Sequence, residues 1–379
     1  METSLKNVLL DAFWIMPATP KYQNQGLPYI TSKNIKNRRI DFNDVKYIDE
    51  ADYDVISRNR PILENDILIS MIGTLGEVAV VKKEDGRFYG QNMYLIRLDE
   101  SKVSQKYFLN WVESDAVKRA ILQQQNKSTQ SYLKAEHIEG LSIKLPSVDE
   151  QNRIADIFER INQLTENRKQ QLQKLDGLVK TRFVEMFGDP KYNKNNLVKI
   201  GDVGTLKSGG TPSRAVPEYF DGDIRWYSAG ELNSLYLQDS VEHISEIGLK
   251  ESSAKLFSKG TLMIGMYDTA AFKMGILTEN ASSNQACANL NPVSEYNAVW
   301  LYYLFDIMKP VFLNERQGVR QKNLSLSKIK EFEIPSALIY EQNEFADFVK
   351  QIDKSKLSVQ QSLEKLETLK KALMQKYFG

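Results

Sequence analysis

Basic and amide side chains gather at four points in the chain. In the first half they form Lys33-Asn34-Ile35-Lys36-Asn37-Arg38-Arg39 and the run Gln123 to Gln130, which ends in Lys127, Ser128, Thr129 and Gln130. In the second half they form Lys207-Ser208-Gly209-Gly210-Thr211-Pro212-Ser213-Arg214 and Arg316-Gln317-Gly318-Val319-Arg320-Gln321-Lys322-Asn323. Arginine and lysine reach phosphate oxygens or guanine, and asparagine and glutamine pair in bidentate fashion with adenine, so the chemistry on offer is nucleic-acid recognition. Any one such run is also an ordinary solvated loop; it is their recurrence at corresponding places in two halves that favours binding. The candidate DNA contacts are Lys33, Asn34, Lys36, Arg38, Arg39, Lys127, Ser128, Thr129, Gln130, Lys207, Ser208, Thr211, Arg214, Arg316, Gln317, Arg320, Gln321 and Lys322, together with Tyr227 at the end of Ile224-Arg225-Trp226-Tyr227. Gln91-Asn92 and Asn284-Gln285, each ahead of a short apolar strand, read first as buried amides that satisfy loop backbone, with DNA contact as the alternative.

Catalytic chemistry is hard to find. The two histidines, His137 and His243, lie in different halves with no Cys or His neighbour at ligand spacing, so no metal site is expected. Gly73-Thr74-Leu75-Gly76 lacks the Lys-Ser/Thr of a phosphate loop and reads as a turn, and no GxGxxG follows a strand. Asn291-Pro292-Val293 lacks the second proline and aromatic of an amino-methyltransferase motif that would stack on a flipped base. No catalytic residues are therefore assigned. Chemistry, if any, belongs to another subunit.

The elements that must position these loops come as a repeat. Glu341-Gln342-Asn343 lies 191 residues after Glu150-Gln151-Asn152, and the terminal Lys376-Tyr377-Phe378-Gly379 lies 191 residues after Glu185-Met186-Phe187-Gly188. Each copy follows a proline that ends an alternating apolar strand, Leu141–Leu145 before Pro146 and Ile329–Ile334 before Pro335. Looser echoes lie upstream: Thr19-Pro20 with Thr211-Pro212, Leu27–Ile30 with Ile224–Tyr227, and Asn65–Leu68 with Lys259–Leu262. The chain reads as domain, long helix, domain, long helix, with boundaries at 1–146, 147–188, 189–336 and 337–379.

Both helices show apolar residues at alternating steps of three and four. The first carries Ile154, Ile157, Ile161, Leu164, Leu175 and Leu178, and the second Phe345, Phe348, Ile352, Val359, Leu366, Leu369 and Leu373. Arg168, Gln171, Ser355 and Ser362 interrupt the seam and specify partner and register. Gly188-Asp189-Pro190 stops the first helix. Because each helix leads away from its own domain and the chain must return, an antiparallel pair is expected. A helix of this length spans roughly 55 Å, about one and a half turns of B-DNA.

The whole chain allows this organisation. Its 379 residues, 42% hydrophobic and 26% charged, suffice for two cores plus extended structure. A net charge of +1 gives no global electrostatic argument for nucleic acid. Cys287, the only cysteine, excludes an intramolecular disulfide or a cysteine-based zinc site and reads as a buried thiol. Glu2 and Lys6 interrupt any signal-peptide stretch and no run of about 18 apolar residues occurs, so a cytoplasmic protein without membrane contact is expected.

With these motifs in order, the chain resembles the specificity subunit of type I restriction and modification enzymes over nearly its whole length. The resemblance is carried by Ile143-Lys144-Leu145-Pro146 through Glu150-Gln151-Asn152-Arg153-Ile154-Ala155 with the helix behind it, by Asp66-Ile67-Leu68 with Gly73–Gly76, and by Ser208–Pro212 with Ile224–Trp226. It implies two mixed α/β (α+β) target-recognition domains in tandem, each followed by a long helix, the helices packing as an antiparallel coiled coil. It also implies double-stranded DNA as ligand, a split asymmetric site with one half per domain, two modification (methyltransferase) subunits and restriction (translocase/endonuclease) subunits as partners. The cofactors S-adenosylmethionine, ATP and Mg would then sit in those partners and none in this chain. Departures occur: Trp14–Ala18 stands where the second copy has Ser-Gly-Gly, Glu341 lies two residues farther from its proline than Glu150 does, and Gly265-Met266-Tyr267-Asp268 replaces the Gly-Thr-Leu-Gly turn. Two other readings compete: a coiled-coil protein-interaction scaffold, which would show no salt-dependent DNA binding, and a self-sufficient nuclease or methyltransferase, for which the required motifs are missing.

Overall fold

The computed structural model describes residues 2–18, 20–73, 75–125, 133–315 and 323–379. It forms two units, Met1–Lys169 with Gln361–Gly379, and Gln170–Gln360.

In the first unit β1 (Glu2–Ser4), β2 (Leu9–Ile15), β3 (Leu27–Thr31), β4 (Ile35–Lys36), β5 (Arg39–Ile40), β6 (Lys46–Ile48), α1 (Glu50–Ser57), β7 (Ile67–Ser70), β8 (Val78–Val80), β9 (Tyr89–Gln91) and β10 (Met93–Leu98) precede α2 (Gln105–Val112), α3 (Asp115–Gln125), α4 (Ala135–Glu139) and β11 (Ser142–Lys144). The long α5 (Val148–Phe187) begins here. The main sheet has the order β2-β10-β7-β8 and is antiparallel throughout. A smaller sheet, β6-β3-β9, contains a parallel pair between β3 and β9.

β10 is apolar almost without interruption because both of its faces are covered. Tyr94, Ile96 and Leu98 join a core with Tyr107, Phe108 and Trp111 of α2 and with Phe158 of α5, while Met93 and Leu95 join Tyr29 and Ile30 of the small sheet.

The second unit repeats this order. Its strands are β12 (Leu197–Lys199), β13 (Gly204–Ser208), β14 (Ile224–Tyr227), β15 (Glu242–Ile244), β16 (Leu262–Gly265), β17 (Met274–Ile276), β18 (Ser282–Ser283), β19 (Cys287–Pro292) and β20 (Glu333–Pro335). Its helices are α6 (Glu246–Lys250), α7 (Ala298–Asn314), α8 (Leu326–Glu331) and the start of α9 (Ile339–Phe378). The sheets β13-β19-β16-β17 and β15-β14-β18 match those of the first unit strand for strand, including the parallel pair. Leu262, Ile264 and Leu290 face α7, while Met263 and Cys287 face the other way. Mixed α/β architecture with tandem domains and long helices is thus what the chain adopts.

In each unit α5 and α9 run antiparallel. In the first, Phe158 lies 5.7 Å from Phe378 between ring centres, and Arg168 Nε donates to Ser362 Oγ at 3.2 Å. In the second, Phe183 meets Phe345 edge-on at 5.2 Å, and Lys356 Nζ lies 2.6 Å from Asp176. Gly188 ends α5 in the left-handed conformation at φ +74, its N–H bonded to Val184 O at 2.9 Å.

Two sequence expectations need correction. The seam does not run through Leu164, Leu178 and Leu369, which are exposed at 42%, 47% and 48%; the buried positions are Ile154, Phe158, Ile161, Val179, Phe183, Phe345, Val349, Val359 and Leu363. Ile157, Leu175, Phe348, Ile352, Leu366 and Leu373 are half-buried along its flanks. The stretch Ile329–Ile334 is strand only from Glu333. Its first half closes α8, whose N-cap Ser325 accepts Lys328 N–H at 3.1 Å.

Candidate nucleic-acid interface

In the first unit the basic cluster sits on the turn after β3 and on the β4–β5 hairpin. Asn37 and Arg38 form its two-residue loop, both with positive φ (52 and 61), which is the geometry of a type I′ hairpin turn. Asparagine takes this conformation readily, whereas arginine does so rarely and gains from an anchor. Arg38 is held. Its Nε and Nη2 each donate to the Glu113 carboxylate at 2.7 Å, and Nη2 also reaches Asn110 Oδ1 at 2.9 Å. Arg38 thereby ties the hairpin to α2 instead of presenting a free fork. Asn34 is buried at 3%, its Oδ1 accepting Thr31 N–H at 2.9 Å and its Nδ2 donating to Asp41 O at 2.8 Å. Thr31 and Asn34 form a capping box, so the expectation that Asn34 meets DNA is corrected on burial.

Lys33, Lys36 and Arg39 are exposed. Lys33 Nζ lies 2.8 Å from Asp44 and Lys36 Nζ 3.2 Å from Asp41. The Lys33 ammonium holds the Asp44 carboxyl below its ordinary range, and at Asp41 the Asn43 N–H does most of this, with Lys36 adding to it. Exposed pairs of this kind contribute little to stability, so a phosphate can exchange for either carboxylate.

In the second unit Lys207 and Ser208 end the edge strand β13, and Gly209-Gly210 carry the chain across the sheet. A Cβ at either would lie 2.2 or 2.1 Å from the backbone oxygen of Ser283 or Ser253, so only glycine fits. Thr211 Oγ1 donates to Gln285 Oε1. Arg214 makes a two-pronged pair with Glu242 at 2.8 Å on each arm and lies over the rings of Phe220 and Trp226. Its guanidinium holds the Glu242 carboxyl low. Tyr227 is 2% exposed and its hydroxyl donates to Gln238 O, so it is a core residue and that expectation is also corrected. Lys127, Ser128, Thr129, Gln130, Arg316, Gln317, Arg320, Gln321 and Lys322 lie outside the described residues.

The remaining reactive groups are spent on structure. Cys287 is buried, and burial pushes its thiol up to about 12. His243 Nε2 lies 3.0 Å from Asp239, and His137 Nδ1 accepts Lys134 N–H at 3.3 Å. No group of three or more His, Cys, Asp or Glu is disposed to hold a metal among the described residues. No helix among them is long and apolar enough to cross a membrane.

The model of the type I restriction modification DNA specificity domain matches the chain twice, over residues 15–176 and 192–368. The chain belongs to this family. Among specificity subunits, that of the MjaIX type I restriction enzyme of Methanocaldococcus jannaschii is 29% identical over 163 residues, which is 42% of this chain and 38% of that protein. A second relative from the same organism, assigned as the MjaX specificity subunit, is 22% identical over 92% of this chain and 85% of its own length. Two solved structures share the fold over 100% of this chain. One comes from work on complex assembly and conformational transition of the type I R-M system (TM-score 0.67, 15% identity, 97% of that chain); the other is the type I S subunit from M. genitalium (TM-score 0.57, 14% identity, 96% of that chain). The tandem match coincides with the duplicated sheets of this specificity-family chain.

The sequence missed Arg60 and Lys255 as basic groups of the loops before β7 and β16. Arg60 Nη1 donates to Trp14 O at 3.3 Å and Lys255 Nζ to Ser208 O at 3.0 Å. Arg60 shares its loop only with Arg58, and Lys255 has no basic residue within three positions, so neither forms a run that composition distinguishes.

Proposed function

We propose that this chain is the DNA-reading, non-catalytic subunit of a type I restriction-modification enzyme, each unit reading one half of a split, asymmetric double-stranded site. The observation that carries the reading is the duplication of one frame with different side chains on its loops. At the turn after the first strand of each small sheet, Asn34 caps Thr31 N–H and Glu231 caps Ser228 N–H at 2.7 Å. At these matched turns the basic groups differ: Lys33, Lys36 and Arg39 stand exposed at the first, whereas at the second Lys273 is half-buried and its Nζ donates to Gly230 O at 3.4 Å. Equal frames with unlike surfaces are what two unlike half-sites require. Phosphate contacts from the lysines would position each unit, and base-edge contacts from the loops would specify sequence.

Two modification subunits would dock on the outer faces of α5 and α9, where Leu164, Leu178, Leu357 and Leu369 stay exposed. They would bring S-adenosylmethionine and methylate adenine, and restriction subunits with ATP and Mg would complete the endonuclease in the cytoplasm.

Methylation-aware sequencing of DNA from cells expressing the chain with its modification partner, against cells lacking only the chain, tests this. Methyladenine at a split motif that vanishes with the chain is the expected result. An active partner and a soluble complex without such a motif would replace the reading with a protein-only scaffold.

A further inference from the structure

The two units can be compared residue by residue through their strand registers. Ile96 pairs with Ile67 in β10 and β7, and Leu290 pairs with Leu262 in β19 and β16. One residue beyond each central strand position stand Arg97 and Asn291, facing Asp11 and Thr205 on the edge strands. One residue before each partner strand position stand Asp66 and Thr261. The backbone confirms the match: Asn65 and Gly260 both take positive φ (71 and 87), and Val81 N–H donates to Asp66 O as Leu277 N–H does to Thr261 O. Arg60 and Lys255 correspond as well, bonding the matched carbonyls of Trp14 and Ser208.

In the first unit this place is filled. Arg97 Nε and Nη2 donate to the buried Asp66 carboxylate at 2.8 and 2.9 Å, and Phe13 lies under Arg60. In the second unit Thr261 and Asn291 replace the ion pair, Lys207 stands at the Phe13 position and Asn289 at the Leu95 position. A cavity of about 410 Å³ opens there, lined by Thr205, Lys207, Lys255, Thr261, Asn289 and Asn291 among others, and none of its lining residues is acidic. The hydroxyl of Thr261 is buried without a hydrogen-bond partner. Among the described residues neither lysine makes an ion pair, and Lys255 spends one of its three N–H groups on Ser208 O.

We propose that this cavity binds a phosphate group. Two ammonium groups supply charge without a competing carboxylate, and a lysine acts on phosphate as a point charge that needs no fixed plane. The first unit has no such site because its own guanidinium occupies the equivalent space. A phosphodiester of bound DNA and a free phosphate present the same chemistry. As a DNA contact the site rests on the function proposed above; as a free-phosphate site it does not.

The full chain is melted in potassium phosphate and in potassium chloride at equal ionic strength, and its affinity for a mixed-sequence DNA duplex is followed against salt by fluorescence anisotropy. The variants are Lys207→Gln with Lys255→Gln, and Thr261→Asp with Asn291→Arg, which rebuilds the first unit's ion pair inside the cavity. General stabilisation by phosphate acts on all forms alike, so the expected result is an extra rise in melting temperature in the natural chain that both variants lose. If the phosphate belongs to DNA, the slope of log affinity against log salt also falls by about 0.9 in both variants. A lost thermal rise with an unchanged slope assigns the cavity to free phosphate. Equal thermal responses and equal slopes in all three forms overturn the proposal. A natural chain that shows the extra phosphate rise but binds no duplex keeps the cavity and removes the DNA-reading function.

Discussion

Gln151 and Gln342 make the same three hydrogen bonds at the starts of α5 and α9. Gln151 Oε1 accepts Ser104 N–H at 2.9 Å while its Nε2 donates to Lys102 O and Pro146 O at 2.9 and 3.0 Å. Gln342 Oε1 accepts Asn297 N–H at 2.8 Å while its Nε2 donates to Glu295 O and Ala337 O at 3.2 and 2.8 Å. Both side chains are fully buried. Each amide joins three segments: the loop leading into a core helix, the loop after the last strand, and the long helix itself. This is the physical content of the Glu-Gln-Asn repeat, and it fixes how each long helix leaves its domain.

Replacing either glutamine by leucine strands one N–H and two carbonyls in a dry place, at a cost of about 1–3 kcal/mol for each group left unmet. Gln151→Leu and Gln342→Leu are therefore expected to lower the urea midpoint substantially and by similar amounts. Midpoints within experimental error of the natural chain would show that water reaches these groups and that the amides are dispensable.

The helix seam gives a contrast between neighbouring positions. Phe158 is fully buried against Phe378, whereas Leu164 is exposed. Phe158→Ala is expected to cost about 3–5 kcal/mol, and Leu164→Lys to stay within about 0.5 kcal/mol in the isolated chain. Comparable losses at the two positions in denaturant titrations would restore the seam read from leucine spacing. If Leu164 contacts a modification subunit, Leu164→Lys is silent in the isolated chain and weakens co-purification of that subunit.

How much of this was legible follows from the range of the interactions. The repeat and the long helices could be read because their signal is local and occurs twice. The phase of the seam was misread because α5 carries apolar residues on adjacent faces; Leu164 and Leu178 fit a step of three or four as well as Phe158 and Val179 do, and only packing selects among them. Asn34 was readable as a cap from Thr31-x-x-Asn34, a signal that its basic neighbours obscured. The Arg38–Glu113 pair spans 75 residues and leaves no local trace. The cavity near Lys255 becomes visible only when strand registers align Asn291 with Arg97 and Thr261 with Asp66; the upstream repeat, read as Asn65–Leu68 with Lys259–Leu262, is one residue out of that register.

Asp353 on α9 gives a pH signature for the second unit. It is half-buried, its Oδ2 has no partner, and Lys356 stands 3.7 Å from Oδ1 while lying closer to Asp176. Burial raises its pKa, Lys356 opposes this, and Asp176 adds to it. A carboxyl whose folded pKa is raised favours folding when protonated, so that contribution is present below the unfolded value of about 3.9 and is lost as pH rises through the folded value. Asp353→Asn should accordingly melt higher than the natural chain at neutral pH, with the advantage shrinking as pH falls towards 4. A lower melting temperature for the variant at neutral pH would mean that the Lys356 contact outweighs the cost of burying the charge.

The length of the helices carries the last prediction. The boundary between the two units falls at Lys169/Gln170 in α5 and at Gln360/Gln361 in α9, so one heptad inserted at each of these points lengthens both helices while leaving each unit's own packing intact. Seven residues add roughly 10.5 Å of helix, which corresponds to about three base pairs at 3.4 Å each. If the helices set the spacing between half-sites, methylation-aware sequencing with the doubly extended chain should return the same two half-sites separated by a gap about three base pairs longer. A heptad turns the far end of each helix by only ~20° relative to a strict seven-residue repeat. Methylation of the original gap by the extended chain would show that spacing is set elsewhere, in the partner subunits or in the bending of the DNA. Loss of methylation at every gap, with both domains still folded by circular dichroism, would mean that the helices position the methyltransferases as well as the reading domains.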